Sequence, residues 1–224
     1  MKSTQNADTI ILEPEQPANA AVIWLHGLGA DGNDFVPIVP ELRLPAAISP
    51  RFIFPNAPVR PISINGGMPM RGWYDITSLT RLDQQDEAGI RASARRVQNT
   101  IEDEVSAGIP RQRIVLAGFS QGGAIALHAG LRQSEALGGI LALSTYLPLQ
   151  SRIMGELSAA GRTTPILMCH GLYDNVLPLA LGSSSRDSLR QLGCAVEWRD
   201  YPMQHQVCEE EIEDIATWLK ARLG

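Results

Sequence analysis

The stretch that decides the fold is IVLAGFSQGGAIAL, residues 114–127. An apolar run comes first, the pattern GFSQG follows at 118–122, and a run of small and apolar residues completes the stretch. This is G-x-S-x-G between a predicted strand and a predicted helix, the context in which a serine hydroxyl is exposed on a sharp turn. The helix dipole and the next backbone N–H would face an oxygen that becomes negative beside that hydroxyl. The stretch therefore predicts a nucleophilic Ser120 at the end of a buried strand.

Length and composition predict one ordered globular domain over residues 1–224. Apolar residues make up 44% of the chain, enough for a full core, and the formal net charge is −5. Because no basic stripe could neutralise phosphates, nucleic acid is not an expected partner. Residues 1–8 are polar, no signal-peptide core follows them, and no apolar run is long enough to span a bilayer. We therefore expect a cytoplasmic protein without an integral membrane segment.

Neither a metal nor a cofactor is expected. The three cysteines, Cys169, Cys194 and Cys208, are odd in number and lack C-x-x-C spacing, which argues against a disulfide framework or a zinc site. No histidine pair or carboxylate cluster has metal-ligand spacing. The glycine-rich residues 26–32 lack the spacing and the lysine of a phosphate-binding P-loop, and G-x-G-x-x-G is absent.

Short apolar runs alternate with amphipathic helical patterns along the chain. The predicted strands are Ala21–Leu25, Arg51–Phe54, Ile114–Ala117, Ile140–Leu143, Ile166–Cys169 and, at a sheet edge, Val196–Asp200. The predicted helices are Asp86–Ile109, one from the 118–122 turn through about Leu131, Leu179–Leu192 and Glu209–Leu223. Val59–Thr80 is irregular, a loop excursion in which a hairpin can form. The alternation predicts an α/β fold with a mostly parallel central sheet, helices on both faces and no large lid domain.

A serine nucleophile needs a base, usually histidine, and ligands of parallel sheets bind at the carboxyl ends of the strands. Of the four histidines, His26 and His170 each end a predicted strand and lead into glycine. His128 lies in the helix after Ser120, beyond its first turn, and is expected to point away from that edge. His205 lies in the loop between the last strand and the last helix, from which its ring can swing back over the serine. The sequence therefore favours His205 as the base.

The carboxylate that orients this base should end a strand between the two. Asp174 follows the strand that ends near Cys169 and precedes a turn into a helix, so we predict it as the acid. Asp200 is the alternative, although it stands only five positions before His205, and Asp187 falls inside a helix. The resulting order, serine then aspartate then histidine, is that of the α/β-hydrolase arrangement.

Acyl transfer by a serine passes through an oxyanion, which needs N–H donors aimed at it. One predicted donor is the amide of Gln121, directly after the nucleophile. The other is the amide of Leu28, which lies between two glycines in the loop after the strand that ends at Leu25.

Several stretches beyond the serine motif follow one another in a recognisable order across nearly the whole chain. They are LHGLGADG (25–32), FPNAP (54–58), RGWYD (71–75), GFSQGG (118–123), STYLP (144–148), HGLYD (170–174) and His205. In these residues the chain resembles the carboxylesterase and acyl-protein thioesterase family, also called the phospholipase/carboxylesterase family of α/β-hydrolases.

The resemblance implies a single-domain hydrolase without metal or cofactor. It implies the same roles that the residues themselves suggest: nucleophile, acid and base at Ser120, Asp174 and His205, and oxyanion amides at Leu28 and Gln121. Family members often have a glycine and a serine near the histidine, where this chain has Pro-Met-Gln before it and Gln after it, so the local loop shape differs. Relatives act on short-chain esters, lysophospholipids or palmitoylated protein cysteines, and often pair, so a homodimer is a possible assembly.

The walls of an acyl pocket are predicted in Val59–Thr80 and Tyr146–Gly161, with Trp73, Tyr146 and Leu147 as substrate-binding residues. Without a large lid, we expect a shallow, open site. The sequence thus predicts a serine hydrolase of short- to medium-chain carboxyl esters, and of acyl thioesters as a variant. The alternatives are an acyl-protein thioesterase or lysophospholipase, an acyltransferase or peptidase with the same triad, and a non-catalytic hydrolase-like binding protein.

Overall fold

The computed structural model describes residues 1–78 and 84–224, and within these it has ten strands and seven α-helices. The strands are β1 (Lys2–Gln5), β2 (Thr9–Glu13), β3 (Ala20–Leu25), β4 (Pro50–Pro55), β5 (Val59–Ile62), β6 (Met68–Arg71), β7 (Ile114–Phe119), β8 (Gly139–Leu143), β9 (Ile166–Gly171) and β10 (Val196–Tyr201). The helices are α1 (Ile38–Glu41), α2 (Glu87–Ser106), α3 (Gln121–Gly130), α4 (Gln150–Glu156), α5 (Ala159–Thr163), α6 (Leu179–Gln191) and α7 (Glu209–Leu223). None of these helices combines the length and apolarity that a bilayer crossing requires.

Eight strands form one sheet in the order β1-β2-β4-β3-β7-β8-β9-β10. All neighbours from β4 to β10 are parallel, and only β1–β2 and β2–β4 are antiparallel. The predicted mostly parallel sheet is confirmed. Strands β1 and β2 were not predicted, because β1 is polar and exposed along its whole length and is held by pairing with β2.

The sheet is buried on both faces. Along β3, Ala21, Ile23 and Leu25 belong to one hydrophobic cluster, whereas Ala20, Val22 and Trp24 belong to the other. This is the alternation of a strand covered on both sides. Helices α2, α3 and α6 contribute to the first cluster and α1 and α7 to the second, so the predicted helices on both faces are confirmed.

Two segments near the carboxyl edge are more structured than predicted. The stretch predicted as irregular contains the hairpin β5–β6, in which Val59 pairs with Arg71 and Ile62 with Met68. The end of that stretch, residues 79–80, lies outside the described residues. The second predicted wall, 146–161, contains α4 and the beginning of α5. Helices α4 and α5 have only seven and five residues, so the sequence shows too few helical turns for hydrophobic periodicity to predict them.

Candidate active site

Ser120 lies on the turn between β7 and α3 with φ 54° and ψ −119°, a strained backbone for a residue other than glycine. The flanking glycines are required by close packing. A Cβ on Gly118 would overlap the backbone of Gly122, and a Cβ on Gly122 would lie 2.6 Å from the carbonyl oxygen of His26. The predicted sharp turn between strand and helix is therefore present, with the serine at its tip.

Hydrogen bonds from the neighbouring strand hold this turn. The Ser120 amide donates to the Leu143 carbonyl oxygen over 2.9 Å, and the Ser120 carbonyl oxygen accepts from Thr145 Oγ1 over 2.7 Å. The amide of Ala124 also donates to that carbonyl oxygen, over 3.1 Å. The end of β8 thus fixes the backbone of the serine from both sides, which offsets the strain of its conformation.

Asp174 lies in the turn after β9, and its side chain has no exposed surface. Its Oδ1 accepts from the amides of Val176 and Leu177, at 2.9 and 2.8 Å. Its Oδ2 lies 2.7 Å from Nδ1 of His205. The turn therefore solvates one carboxylate oxygen with backbone amides and directs the other at the imidazole.

The loop that carries His205 is tied to the loop that carries the aspartate. The amide of Tyr173 donates to the carbonyl oxygen of Met203 over 3.0 Å. The backbones also approach closely at Gly171, where a Cβ would lie 2.5 Å from the Met203 carbonyl oxygen. The loops that carry Asp174 and His205 are therefore held together by a backbone hydrogen bond and by close backbone packing.

The imidazole of His205 packs on the ring of Phe119, with centroids 4.7 Å apart. Because Phe119 precedes Ser120, this contact sets the imidazole beside the serine turn. Nδ1 faces a carboxylate, so we assign the proton to Nδ1, which leaves the lone pair on Nε2. The structure therefore brings Asp174 and His205 together next to the predicted nucleophile.

The alternative acids have other partners. Asp200 Oδ2 accepts from the indole N–H of Trp198 over 2.9 Å, and Asp187 Oδ1 accepts from Nε of Arg186 over 2.8 Å. It is Asp174, and neither of these, that contacts the His205 ring.

Two other histidines are buried. His26 Nε2 accepts from the amide of Ala57 over 3.0 Å, and its Nδ1 donates to the Gly27 carbonyl oxygen over 2.7 Å. Burial lowers the pKa of His26, so the ring is neutral. His128, expected to face away from the site, is buried on α3, and burial together with the nearby Arg132 guanidinium lowers its pKa to about 3.

His170 is a second histidine near Asp174, and its contact with the Asp174 turn was not predicted from the sequence. Its Nε2 lies 2.8 Å from the Leu177 carbonyl oxygen and 3.6 Å from Asp174 Oδ2. The ring is buried, stacks on Trp198 at 6.0 Å between centroids, and has a pKa lowered by that burial. It thus braces the turn that presents the aspartate. Its position four residues before Asp174 was the available signal.

The two predicted oxyanion donors border the serine. The chain around Leu28 passes beside it, since a Cβ on Gly27 would lie 3.6 Å from the Ser120 Cβ. Gly29 adopts φ 79°, and its amide donates to the Arg71 carbonyl oxygen over 2.8 Å. Within the described residues the Leu28 amide has no hydrogen-bond acceptor. The amide of Gln121, the first residue of α3, has no partner within its helix.

The Gln121 side chain has a second role that the sequence did not reveal. Its Oε1 accepts from the Trp73 amide and its Nε2 donates to the Tyr74 carbonyl oxygen, both over 2.7 Å. The indole N–H of Trp73 donates to the His26 carbonyl oxygen over 2.9 Å. One residue after the nucleophile therefore anchors the segment that follows the β5–β6 hairpin.

The three residues predicted to bind substrate are packed inside the protein. Trp73, Tyr146 and Leu147 are 1%, 5% and 2% exposed. The hydroxyl of Tyr146 is 2.8 Å from that of Tyr74, and the Leu147 amide donates to Ser185 Oγ over 2.8 Å. Direct contact of these side chains with substrate stays a prediction. The exposed large apolar residues described on the neighbouring segments are Val59, Ile64, Met68, Met154, Leu172, Tyr173 and Val176.

The family model described as Phospholipase/Carboxylesterase matches residues 6–223. The chain is 40% identical over 213 residues to acyl-protein thioesterase 1 of Gibberella zeae, covering 91% of each protein. It is 39% identical over 216 residues to acyl-protein thioesterase 1 of Yarrowia lipolytica, covering 92% of this chain and 95% of that protein.

Solved structures give the same result. SOBER1 of Arabidopsis thaliana superimposes with a TM-score of 0.87 at 30% identity, covering 92% of this chain and all of that one. Acyl-protein thioesterase 2 of Zea mays superimposes with a TM-score of 0.86 at 31% identity, covering 96% of this chain and 99% of that one. The resemblance seen in the sequence is confirmed, and the chain belongs to the phospholipase/carboxylesterase family of α/β-hydrolases.

Proposed function

We propose that this hydrolase cleaves short- to medium-chain carboxyl esters through a Ser120–His205–Asp174 triad, as one domain over residues 1–224. The observation that carries the proposal is the 2.7 Å contact between Asp174 and a His205 ring that packs on Phe119, beside Ser120. A cytoplasmic location remains part of this proposal.

In the first half of the reaction, Ser120 Oγ attacks the carbonyl carbon of the ester while His205 Nε2 takes its proton. The carbonyl oxygen becomes an oxyanion that accepts hydrogen bonds from the amides of Leu28 and Gln121. Asp174 stabilises the imidazolium and keeps the ring in the required tautomer. The bond to the leaving oxygen or sulfur then breaks, and His205 returns the proton to that atom.

In the second half, water replaces the leaving group. His205 takes a proton from water as the water oxygen attacks the acyl carbon, and the same amides stabilise the second oxyanion. Collapse of that intermediate breaks the bond to Ser120 Oγ, which regains its proton from the imidazole. The products are the free acid and the original enzyme.

Acyl-protein thioesterase is the second candidate activity. It is supported by the two fungal relatives of that name, which match the chain at about 40% identity over nine-tenths of its length. The same steps cleave a thioester, with sulfur as the leaving atom, so the triad does not discriminate between the two.

The distinguishing experiment measures kcat/KM for p-nitrophenyl esters of increasing chain length beside the matching acyl thioesters. A shallow site predicts that the ester values stop rising before dodecanoate, and a continued rise beyond it would contradict that part of the proposal. Thioester values well above those of matched esters would favour the second candidate.

Two further classes have their own tests. Preferential capture of the acyl group by an added alcohol or amine would indicate an acyltransferase. A non-catalytic binding protein would not react with a fluorophosphonate, whereas the proposal predicts covalent labelling that is absent in Ser120→Ala.

A further inference from the structure

The two proposed oxyanion donors are carried by different parts of the fold. Leu28 lies in the loop after β3, and Gln121 is the first residue of α3. Because glycines flank Leu28 on both sides, the backbone of this loop depends on contacts from outside it. An oxyanion bound by two amides needs both at about 2.7–3.1 Å, so the loop must be held at a fixed distance from α3.

Residues 71–74, here called the bridging segment, hold this loop at two points. The Gly29 amide donates to the Arg71 carbonyl oxygen over 2.8 Å. The Trp73 indole N–H donates to the His26 carbonyl oxygen over 2.9 Å. One of these bonds lies before the predicted donor in the chain and the other after it, so the bridging segment fixes the loop on both sides of that amide.

The bridging segment also packs on the Leu28 side chain. A Cβ on Gly72 would lie 3.1 Å from Leu28 Cδ1 and 2.9 Å from Ile62 Cδ1. A residue larger than glycine would have to displace one of these methyl groups. The segment therefore lies against the residue that carries the predicted donor, as well as being bonded to the residues around it.

The Gln121 side chain holds the other side of the bridging segment. It accepts from the Trp73 amide and donates to the Tyr74 carbonyl oxygen, both over 2.7 Å, and the residue is 2% exposed. Ser93 of α2 adds a bond from its Oγ to the Trp73 carbonyl oxygen. A continuous path of hydrogen bonds thus runs from the first residue of α3, through the bridging segment, to the loop that carries Leu28.

We propose that Gln121, through its side chain, and Trp73 are positioning residues that fix the Leu28 amide relative to the Gln121 amide. The inference rests on the proposed function, because the two amides act as donors only if Ser120 attacks a carbonyl carbon. Neither side chain acts on the reacting atoms itself. The oxyanion forms only after attack, so a misplaced donor lowers kcat and leaves KM nearly unchanged.

Two variants break the path at different points, and hydrolysis of p-nitrophenyl butyrate measures the result. Gln121→Met removes both side-chain bonds and keeps the backbone amide, so kcat should fall by about 10² with KM within about twofold of the wild type. Trp73→Phe removes one of the two bonds to the loop and leaves that of Gly29, so kcat should fall by about tenfold.

Each variant has a matched control elsewhere in the core. Gln133→Met changes a glutamine that is 3% exposed and donates to the Ala129 carbonyl oxygen over 2.9 Å, past the far end of α3. Trp218→Phe changes a tryptophan of α7 that is 5% exposed and donates to Glu197 over 3.2 Å. Both controls should keep kcat within about twofold of the wild type, and all assays are run below the lowest melting temperature of the set.

Two further measurements separate positioning from a general loss of structure. Because both residues act along one path, the variant with both substitutions should lose no more activity than Gln121→Met alone. A trifluoromethyl ketone adds to a serine hydroxyl and forms an oxyanion that reacts no further. Its Ki should rise in each variant by the same factor by which kcat/KM falls.

Three results would overturn the proposal in a wild type that hydrolyses the ester. They are a kcat within about twofold of the wild type in Gln121→Met and Trp73→Phe, a loss confined to KM, and a loss in the double variant equal to the product of the two single losses. If Gln121→Met does not fold, Trp73→Phe and its control decide by the first two results. A wild type that neither hydrolyses the ester nor reacts with a fluorophosphonate would overturn the proposed function, and this inference with it.

Discussion

Asp174 has two histidine neighbours whose surroundings differ. His205 contacts its Oδ2 at 2.7 Å from a loop and keeps 14% of its side chain exposed, whereas His170 lies 3.6 Å away in β9 and is 1% exposed. Nε2 of His170 donates to the Leu177 carbonyl oxygen, whereas Nε2 of His205 is the atom that we propose takes the proton of Ser120. Burial and the bond to Leu177 therefore distinguish His170, which braces the turn, from His205, which we propose as the base.

The difference shows how one carboxylate serves both rings. His170 fixes the carbonyl of Leu177, and the amide of the same residue donates to Asp174 Oδ1. The buried histidine thus holds the turn, the turn holds the carboxylate, and the carboxylate orients His205. We therefore predict that His170 is a positioning residue that acts through Asp174.

The largest effect is expected from Asp174→Asn. The amide cannot stabilise the imidazolium and favours the wrong tautomer of His205, so kcat should fall by about 10⁴ while the fold is kept. Steady-state ester hydrolysis measures kcat, and circular dichroism checks that the fold is kept. A rate near that of the wild type would show that Asp174 is not the acid of the triad and would favour Asp200.

A smaller loss is expected from His170→Phe, which removes the donor to Leu177. Displacement of the Asp174 turn should lower kcat by about 10- to 100-fold with little change in KM. His170→Gln keeps a donor near the position of Nε2 and should recover most of the loss. Equal rates for the two variants would show that packing, and not the hydrogen bond, is what matters at this position.

The pH dependence of stability tests the burial of His170. Burial lowers the folded-state pKa of His170, so the unfolded chain binds a proton near pH 6.5 that the folded chain does not. The free energy of unfolding should therefore fall as pH decreases below that value. Urea denaturation at pH 7.5 and at pH 5.5 measures how much unfolding free energy each protein loses on acidification. The loss should be smaller in His170→Gln than in the wild type, by up to about 1.4 kcal/mol. An equal loss would mean that His170 titrates normally.

The smallest effect is expected from Asp200→Asn. Its carboxylate accepts from the Trp198 indole and does not contact His205, so kcat/KM should stay within about twofold of the wild type. This variant is the matched control for Asp174→Asn, and a large loss would contradict the assignment of the acid.

Much of the fold and of the candidate site could be predicted, because it depends on residues that are neighbours in the sequence. The buried strands are continuous apolar runs, and the serine turn has its glycines at fixed offsets from Ser120. The pairing of Asp174 with His205 was predicted from strand ends, and the structure has the two within hydrogen-bond distance. Their catalytic roles remain predictions.

What could not be predicted depends on contacts between distant residues. The Gln121 clamp joins residues 48 positions apart, from Trp73 to Gln121, and leaves no pattern in the linear sequence. Strand β1 is polar and exposed, so only its partner β2 reveals it. The burial of Trp73 and Tyr146 was not predicted, because an aromatic residue in a loop after a strand fits a pocket wall and a core equally well.

The proposed triad is tested by the rate at which a fluorophosphonate labels the protein, with the modified residue located by mass spectrometry. We expect the label on Ser120, a labelling rate lowered by at least about 10³ in His205→Gln, and one lowered less than about tenfold in His170→Gln. A label on another residue, or a larger loss in His170→Gln than in His205→Gln, would contradict it.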